Sequence, residues 1–145
     1  MKHKFLVTGF VFIICVIVFV IVNAQPVSMN LRFHGTAYLH DMETESDITI
    51  TLEGKRHDKL FQKNTFTGYL TVSSKQVPEE LDAISLTFKK NGTADCLLTA
   101  NETDIGTLTV DEEFENVVIE LKDGTVIAAP ATNLNQAKDV VKAVS

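Results

Sequence analysis

Hydrophobic residues are spread along this chain in three successive patterns, and each pattern predicts a different kind of element. From Phe5 to Val22 the chain reads FLVTGFVFIICVIVFVIV, eighteen residues without a charge. Lipid offers no partners for backbone N–H and C=O groups, so such a run crosses a membrane as a helix. At 1.5 Å per residue it spans about 27 Å, close to a hydrocarbon core of about 30 Å. Two readings fit. The run exceeds the usual signal-peptide core of about 7–15 residues, which favours a permanent anchor. The small residue Ala24 also permits cleavage after Val22-Asn23-Ala24, which gives a secreted protein. Lys2 and Lys4 precede the run, and the first basic residue after it is Arg32. The positive-inside bias then keeps the start of the chain in the cytoplasm and sends the rest out.

Beyond a short linker at 25–30, the pattern changes to period two, which predicts strands. Leu31, Phe33, Gly35, Ala37 and Leu39 form one face of the first, with Arg32, His34, Thr36, Tyr38 and His40 on the other. Ile48, Ile50 and Leu52 mark a second strand, and Phe66, Gly68, Leu70 and Val72 a third. Ile84, Leu86 and Phe88 mark a fourth, Ala94, Cys96 and Leu98 a fifth, and Leu108 with Val110 a sixth. Val117, Ile119 and Leu121 form the seventh, turned by Asp123-Gly124 into an eighth that ends at Ala129. Asn91-Gly92 is the strongest hairpin signal, because both residues tolerate φ > 0. Strands with one apolar face and one Thr-rich, charged face predict an antiparallel sheet with a solvated side.

In the last stretch the period changes again. Pro130 ends the eighth strand, Asn133 with Gln136 reads as a capping pair, and Leu134, Ala137, Val140, Val141 and Val144 fall at helical spacing. The predicted fold is therefore mainly β. A transmembrane segment (1–24) and linker (25–30) precede an extracytoplasmic domain (31–145), a small antiparallel sandwich or barrel of about eight strands with a C-terminal helix at 133–144. A five-residue echo between Gly68-Tyr-Leu-Thr-Val72 and Gly106-Thr-Leu-Thr-Val110 is too short to be a repeat.

Composition narrows the function. Without Lys2 and Lys4, 11 basic residues stand against 19 acidic ones, a net of −8, which excludes a nucleic-acid binder. The two cysteines cannot pair, because Cys15 lies in the apolar run and Cys96 in the domain. The acidic stretch Asp41 to Asp47 has oxygen ligands at alternate places, but Ser46 and Leu52 stand where a calcium loop needs Gly and Glu, so a solvated hairpin loop is expected. His34 and His40 share a strand face about 20 Å apart, too far for one metal. Cys96 has the apolar parity of its strand, and no nucleophile–base or metal-ligand spacing stands out. The expectation is a non-catalytic module with no cofactor.

Its partners are the lipid bilayer through Phe5–Val22 and an envelope protein or peptide. Tyr38 and Tyr69, each an apolar body with a polar tip on a Thr-rich face, are the candidate contacts. If the strands run up and down in order, the loops 41–47, 74–82, 100–104 and 122–124 share one end with a net charge of −8. The loops 54–63, 89–92 and 111–116 share the other end, at +1, with the tether. Lys55, Arg56, Lys59, Lys63, Lys89 and Lys90 would then face lipid headgroups. For a secreted form, the alternative is a barrel enclosing an apolar ligand, lined by Phe33, Phe66, Phe88 and Leu70.

Overall fold

The computed structural model describes residues 2–23, 25–58 and 62–145. A helix α1 (Lys2–Asn23) leads into eight strands: β1 (Val27–Leu39), β2 (Met42–His57), β3 (Thr65–Val72), β4 (Ile84–Thr87), β5 (Thr93–Ala100), β6 (Thr103–Asp111), β7 (Val117–Leu121) and β8 (Val126–Ala129). A second helix, α2 (Leu134–Val144), closes the chain.

All strands belong to one antiparallel sheet in the order β4-β3-β2-β1-β8-β7-β6-β5. Consecutive strands other than β4 and β5 are paired, and β1 also pairs with β8, so the sheet curls into a nearly closed barrel. The open seam lies between β4 and β5, where no ladder forms among the described residues. It is pinned at both ends. Lys89 N–H donates to Thr93 C=O at 2.9 Å and Asp82 N–H to Thr99 C=O at 2.9 Å. The Asp82 carboxylate also accepts from the Thr99 hydroxyl (2.8 Å) and Glu102 N–H (2.9 Å).

Following paired residues around the barrel gives its stagger. Ala37 leads through Ile127, Ile119 and Leu108 to Cys96, while Val27 leads through Arg56 and Phe66 to Leu86, and the two seam hydrogen bonds set Leu86 about level with Cys96. One circuit thus shifts the register by about ten residues, a tilt that gives eight strands an interior just wide enough for side chains to fill. Three glycines permit the tight curl. A Cβ on Gly54, Gly68 or Gly106 would lie 2.2, 2.1 or 2.3 Å from a carbonyl oxygen of the adjacent strand. The echo noted between Gly68 and Gly106 therefore marks two sites with the same steric demand.

The barrel holds one core, with Phe66, Ile50, Leu52, Leu86, Leu98, Leu108 and Ile119 fully buried. A second apolar patch lies outside it. There α2 lays Ala137, Val140 and Val144 on Val118 and Ala128, and the Thr36 hydroxyl beneath donates to Ala131 C=O at 3.1 Å. The capping pair forms: Asn133 Oδ1 accepts from Gln136 N–H at 2.9 Å, and Gln136 Oε1 from Thr132 N–H at 2.8 Å.

Several local readings change. The linker is shorter than 25–30, because β1 begins at Val27. The acidic stretch at 41–47 is not a loop. It extends β2 back to Met42, with bulges that interrupt the β1 register, and the turn is only His40-Asp41, both at positive φ. Asn101-Glu102 turns β5 into β6 in the same way. At Asn91-Gly92 the chain does turn, but only Gly92 takes positive φ, and the flanking strands form the seam instead of a ladder.

Candidate functional site

The up-and-down order brings the ends of β2, β4 and β6 and the starts of β3, β5 and β7 to one end of the barrel, together with the start of β1. Of the six basic residues expected here, Lys59 lies outside the described residues. Arg56 does not face outward. The inward parity of Ile50 and Leu52 continues through Gly54 to Arg56, so its side chain closes the end of the core. Its guanidinium lies 5.9 Å from the Phe88 ring centroid and 5.5 Å from that of Phe114. Phe114 in turn contacts Phe66 and Phe88 with centroids 5.3 and 5.4 Å apart. Arg56 Nε donates to Asp58 at 2.7 Å and Nη1 to Glu112 C=O at 2.7 Å. Stacking plus charged hydrogen bonds makes this a structural plug.

Lys63, Lys89 and Lys90 do gather, around a hollow of about 270 Å³ that also includes Asn64 and Glu112. Lys89 is paired with Asp95, and that bond, helped by the Thr109 hydroxyl, holds the Asp95 carboxyl below its ordinary range. Asn64 Nδ2 donates to Glu112 at 2.9 Å. Next to this lies a second hollow of about 380 Å³, lined by Asp111, Glu112 and Glu113 beside Arg56. The end therefore carries both signs, with the cationic part confined to the lysine side.

The two tyrosines do not share a surface. Tyr38 is half-buried against the α2 patch, and its phenol is pushed up by that burial, with Lys138 opposing. Tyr69 stands on the outer face of β3, 63% exposed, over a hollow of about 530 Å³ that Lys55 also lines. Their β2 partners, Glu43 and Glu53, lie about 30 Å apart along the strand. The residues of the alternative ligand lining are packed as core: Phe66 is 0%, Leu70 2% and Phe88 3% exposed, with Phe33 half-buried against them.

One further surface includes residues 27–30, expected as linker, and 31–33, expected as strand. β1 is paired on both sides only in its second half, with β8 at Thr36–Tyr38. Before that, Ala131 N–H donates to His34 C=O at 2.9 Å, and among the described residues no strand pairs with 27–33 on the side away from β2. N–H and C=O groups alternate in direction along a strand. Since those of His34 face the β8 side, those of Ser28, Asn30 and Arg32 face the open edge. Their side chains are exposed, while Met29, Leu31 and Phe33 pack against the core. The alternation from Val27 to His34 was the signal for this strand.

As for metal chemistry, among the described residues no three His, Cys, Asp or Glu side chains gather to hold an ion. Asp41 is held by Lys138 at 2.8 Å and Glu45 accepts from the Ser74 hydroxyl at 2.8 Å. Comparison with protein-family models, with curated proteins and with solved structures finds no match.

Proposed function

We propose that this is a single-pass membrane protein, its start in the cytoplasm and its barrel outside, acting as a non-catalytic binding module of the cell envelope. The observation that carries the reading is α1. It is apolar on every side, and each of its described side chains is exposed, with Phe5 at 81% and Phe10 at 66%. A helix apolar all round is stable inside protein or inside lipid, and the described side chains of this one are not buried in the barrel. It is long and apolar enough to cross a membrane.

The tether supports a barrel held close to lipid. Gln25 and Pro26 separate the described end of the strand from Ala24, and two extended residues reach about 7 Å. The hollow of Lys63, Lys89 and Lys90 lies at that same end of the barrel. A lysine near an anionic surface contributes at most about 1 kcal/mol, within a Debye length, and Lys89 less, since it is paired with Asp95. The binding partner in this reading is an envelope protein or peptide.

The deciding experiment is the mature mass and the fraction. The full chain is expressed in its host, membranes are separated from medium, and intact mass is measured. Retention of Met1–Val22 in the membrane pellet is the expected result. A mature chain beginning at Gln25 in the medium would overturn the anchor and favour the secreted form.

A further inference from the structure

We propose that the open edge of β1, residues 27–33, pairs with the same edge of a second copy of this chain. Sheet edges with unpaired N–H and C=O groups are templates for another strand, and natural proteins guard them with prolines, bulges or inward-pointing charges. Over 27–33 this edge has none of these. Pro26 precedes it, the bulges begin only after Gly35, and the inward residues Val27, Met29, Leu31 and Phe33 are all apolar.

The choice of a second copy comes from register. The midpoint of 27–33 is Asn30, and Asn30 is one of the residues whose backbone groups face the open side. An antiparallel pair about a two-fold axis through Asn30 therefore sets Ser28 opposite the second copy's Arg32 and Asn30 opposite Asn30. All three positions present their donors and acceptors, giving about six N–H···O bonds. An axis through Met29 or Leu31 would pair fewer of these groups within 27–33, giving about four such bonds. The side chains match as well. Met29 meets Leu31 and Val27 meets Phe33 on the inner face, which covers the 56% exposed Val27. On the outer face, Arg32 is the segment's one charge, and in this register it faces a serine and not another arginine. Self-complementarity of this kind is what a two-fold interface requires.

The inference goes beyond the anchored binding module, because the edge is self-complementary whether or not α1 is retained. If both copies are anchored, confinement to one bilayer raises their effective concentration.

Cysteine crosslinking of the full-length chain tests this, in whichever fraction holds it, in a Cys15→Ser background. Asn30→Cys should give a disulfide dimer under mild oxidation at least tenfold above the background. Ser28→Cys or Arg32→Cys alone should give no more than background, but co-expressed they should crosslink to each other. Arg32→Pro, added to Asn30→Cys, removes an N–H from the open edge and none from the β2 ladder, and should abolish the dimer. The staggered 28/32 pair keeps the test decisive if that proline variant fails to fold. Monomer only from Asn30→Cys would overturn the proposal. So would an adduct with a different protein, or an equal yield from Thr107→Cys on the outer face of β6. Since the fraction is scored separately, loss of the dimer and loss of the anchor are distinguishable.

Discussion

The two helices of this protein leave the same end of the same barrel and find opposite surroundings. α1 follows no face. Its apolar residues occur on every side, and every described side chain is exposed. α2 is strongly one-sided, with Ala137, Val140 and Val144 buried on the barrel wall and Gln136, Asp139 and Lys142 outward. The difference lies in the period of the hydrophobic pattern and not in helix propensity, since α1 is rich in β-branched Val and Ile. A one-sided stripe requires a protein partner of matching width. An all-round apolar surface requires apolar surroundings on every side. The barrel supplies the first and cannot supply the second.

A charge placed in each helix should therefore be read out by different instruments. Ile14→Arg with Val18→Arg puts two charges at mid-helix, each costing about 2.5–3.5 kcal/mol for insertion. The full chain should disappear from the membrane fraction, while the barrel's thermal transition is unchanged. This is the largest expected effect. Val140→Asp should do the reverse. Val140 is 6% exposed against Val118 and Ala128, and a carboxylate there loses apolar burial and gains no partner. The expected loss is about 3 kcal/mol of unfolding free energy in a denaturant titration, with membrane retention intact. If the α1 double variant stayed in the membrane, or Val140→Asp left the melt unmoved, the contrast between the helices would collapse.

Much of this contrast was legible in the sequence, because period and length are local properties. The eight strands, the eventual capping pair and both helices follow from apolar residues at spacings of two and 3.6. What was not legible depends on pairing across the sheet. Met42 to Asp47 has no apolar face, so only its ladder with β1 identifies it as strand. His40-Asp41 and Asn101-Glu102 take φ > 0 without a glycine, where flanking register compels the tight turn. Arg56 was read as a loop charge, although the parity of Ile50 and Leu52 already pointed it inward. The seam between β4 and β5, and the open edge of β1, follow from a stagger summed around the whole barrel. No single stretch of sequence encodes that sum. Tyr38 and Tyr69 looked alike as tyrosines on polar faces, but whether α2 covers one of them is again a matter of tertiary docking.

The ends of the two helices sharpen the comparison at lower energy. An eleven-residue helix is marginal in water, so α2 depends on its cap as well as its packing. Asn133→Ala removes the oxygen that accepts from Gln136 N–H at 2.9 Å. The expected cost is about 1 kcal/mol, seen as a lower thermal midpoint. Asn133→Asp should restore most of it, since Asp also accepts at an N-cap and its charge suits the helix dipole. A change confined to the last turn of the chain, with an unshifted midpoint, would mean that α2 contributes little to barrel stability.

The smallest effect comes from an ion pair that ties α2 to a hairpin. Lys138 Nζ lies 2.8 Å from Asp41 Oδ1, at the β1–β2 turn. The Lys138 hydrogen bond and charge hold the Asp41 carboxyl below its ordinary value. A carboxylate with a lowered folded-state pKa adds stability above its unfolded value of about 3.9, and that stability is lost as pH falls through the lower folded value. Asp41→Asn keeps the left-handed turn, because Asn tolerates positive φ, and removes the titration. Wild-type and variant midpoints should coincide at pH 2 and separate above pH 4, with the wild type slightly higher. Because the carboxylate is solvent-exposed, the gap should shrink in high salt. A gap that persists at pH 2 would assign the effect to the turn and not to the pair, and would leave α2 held by its apolar stripe and cap alone.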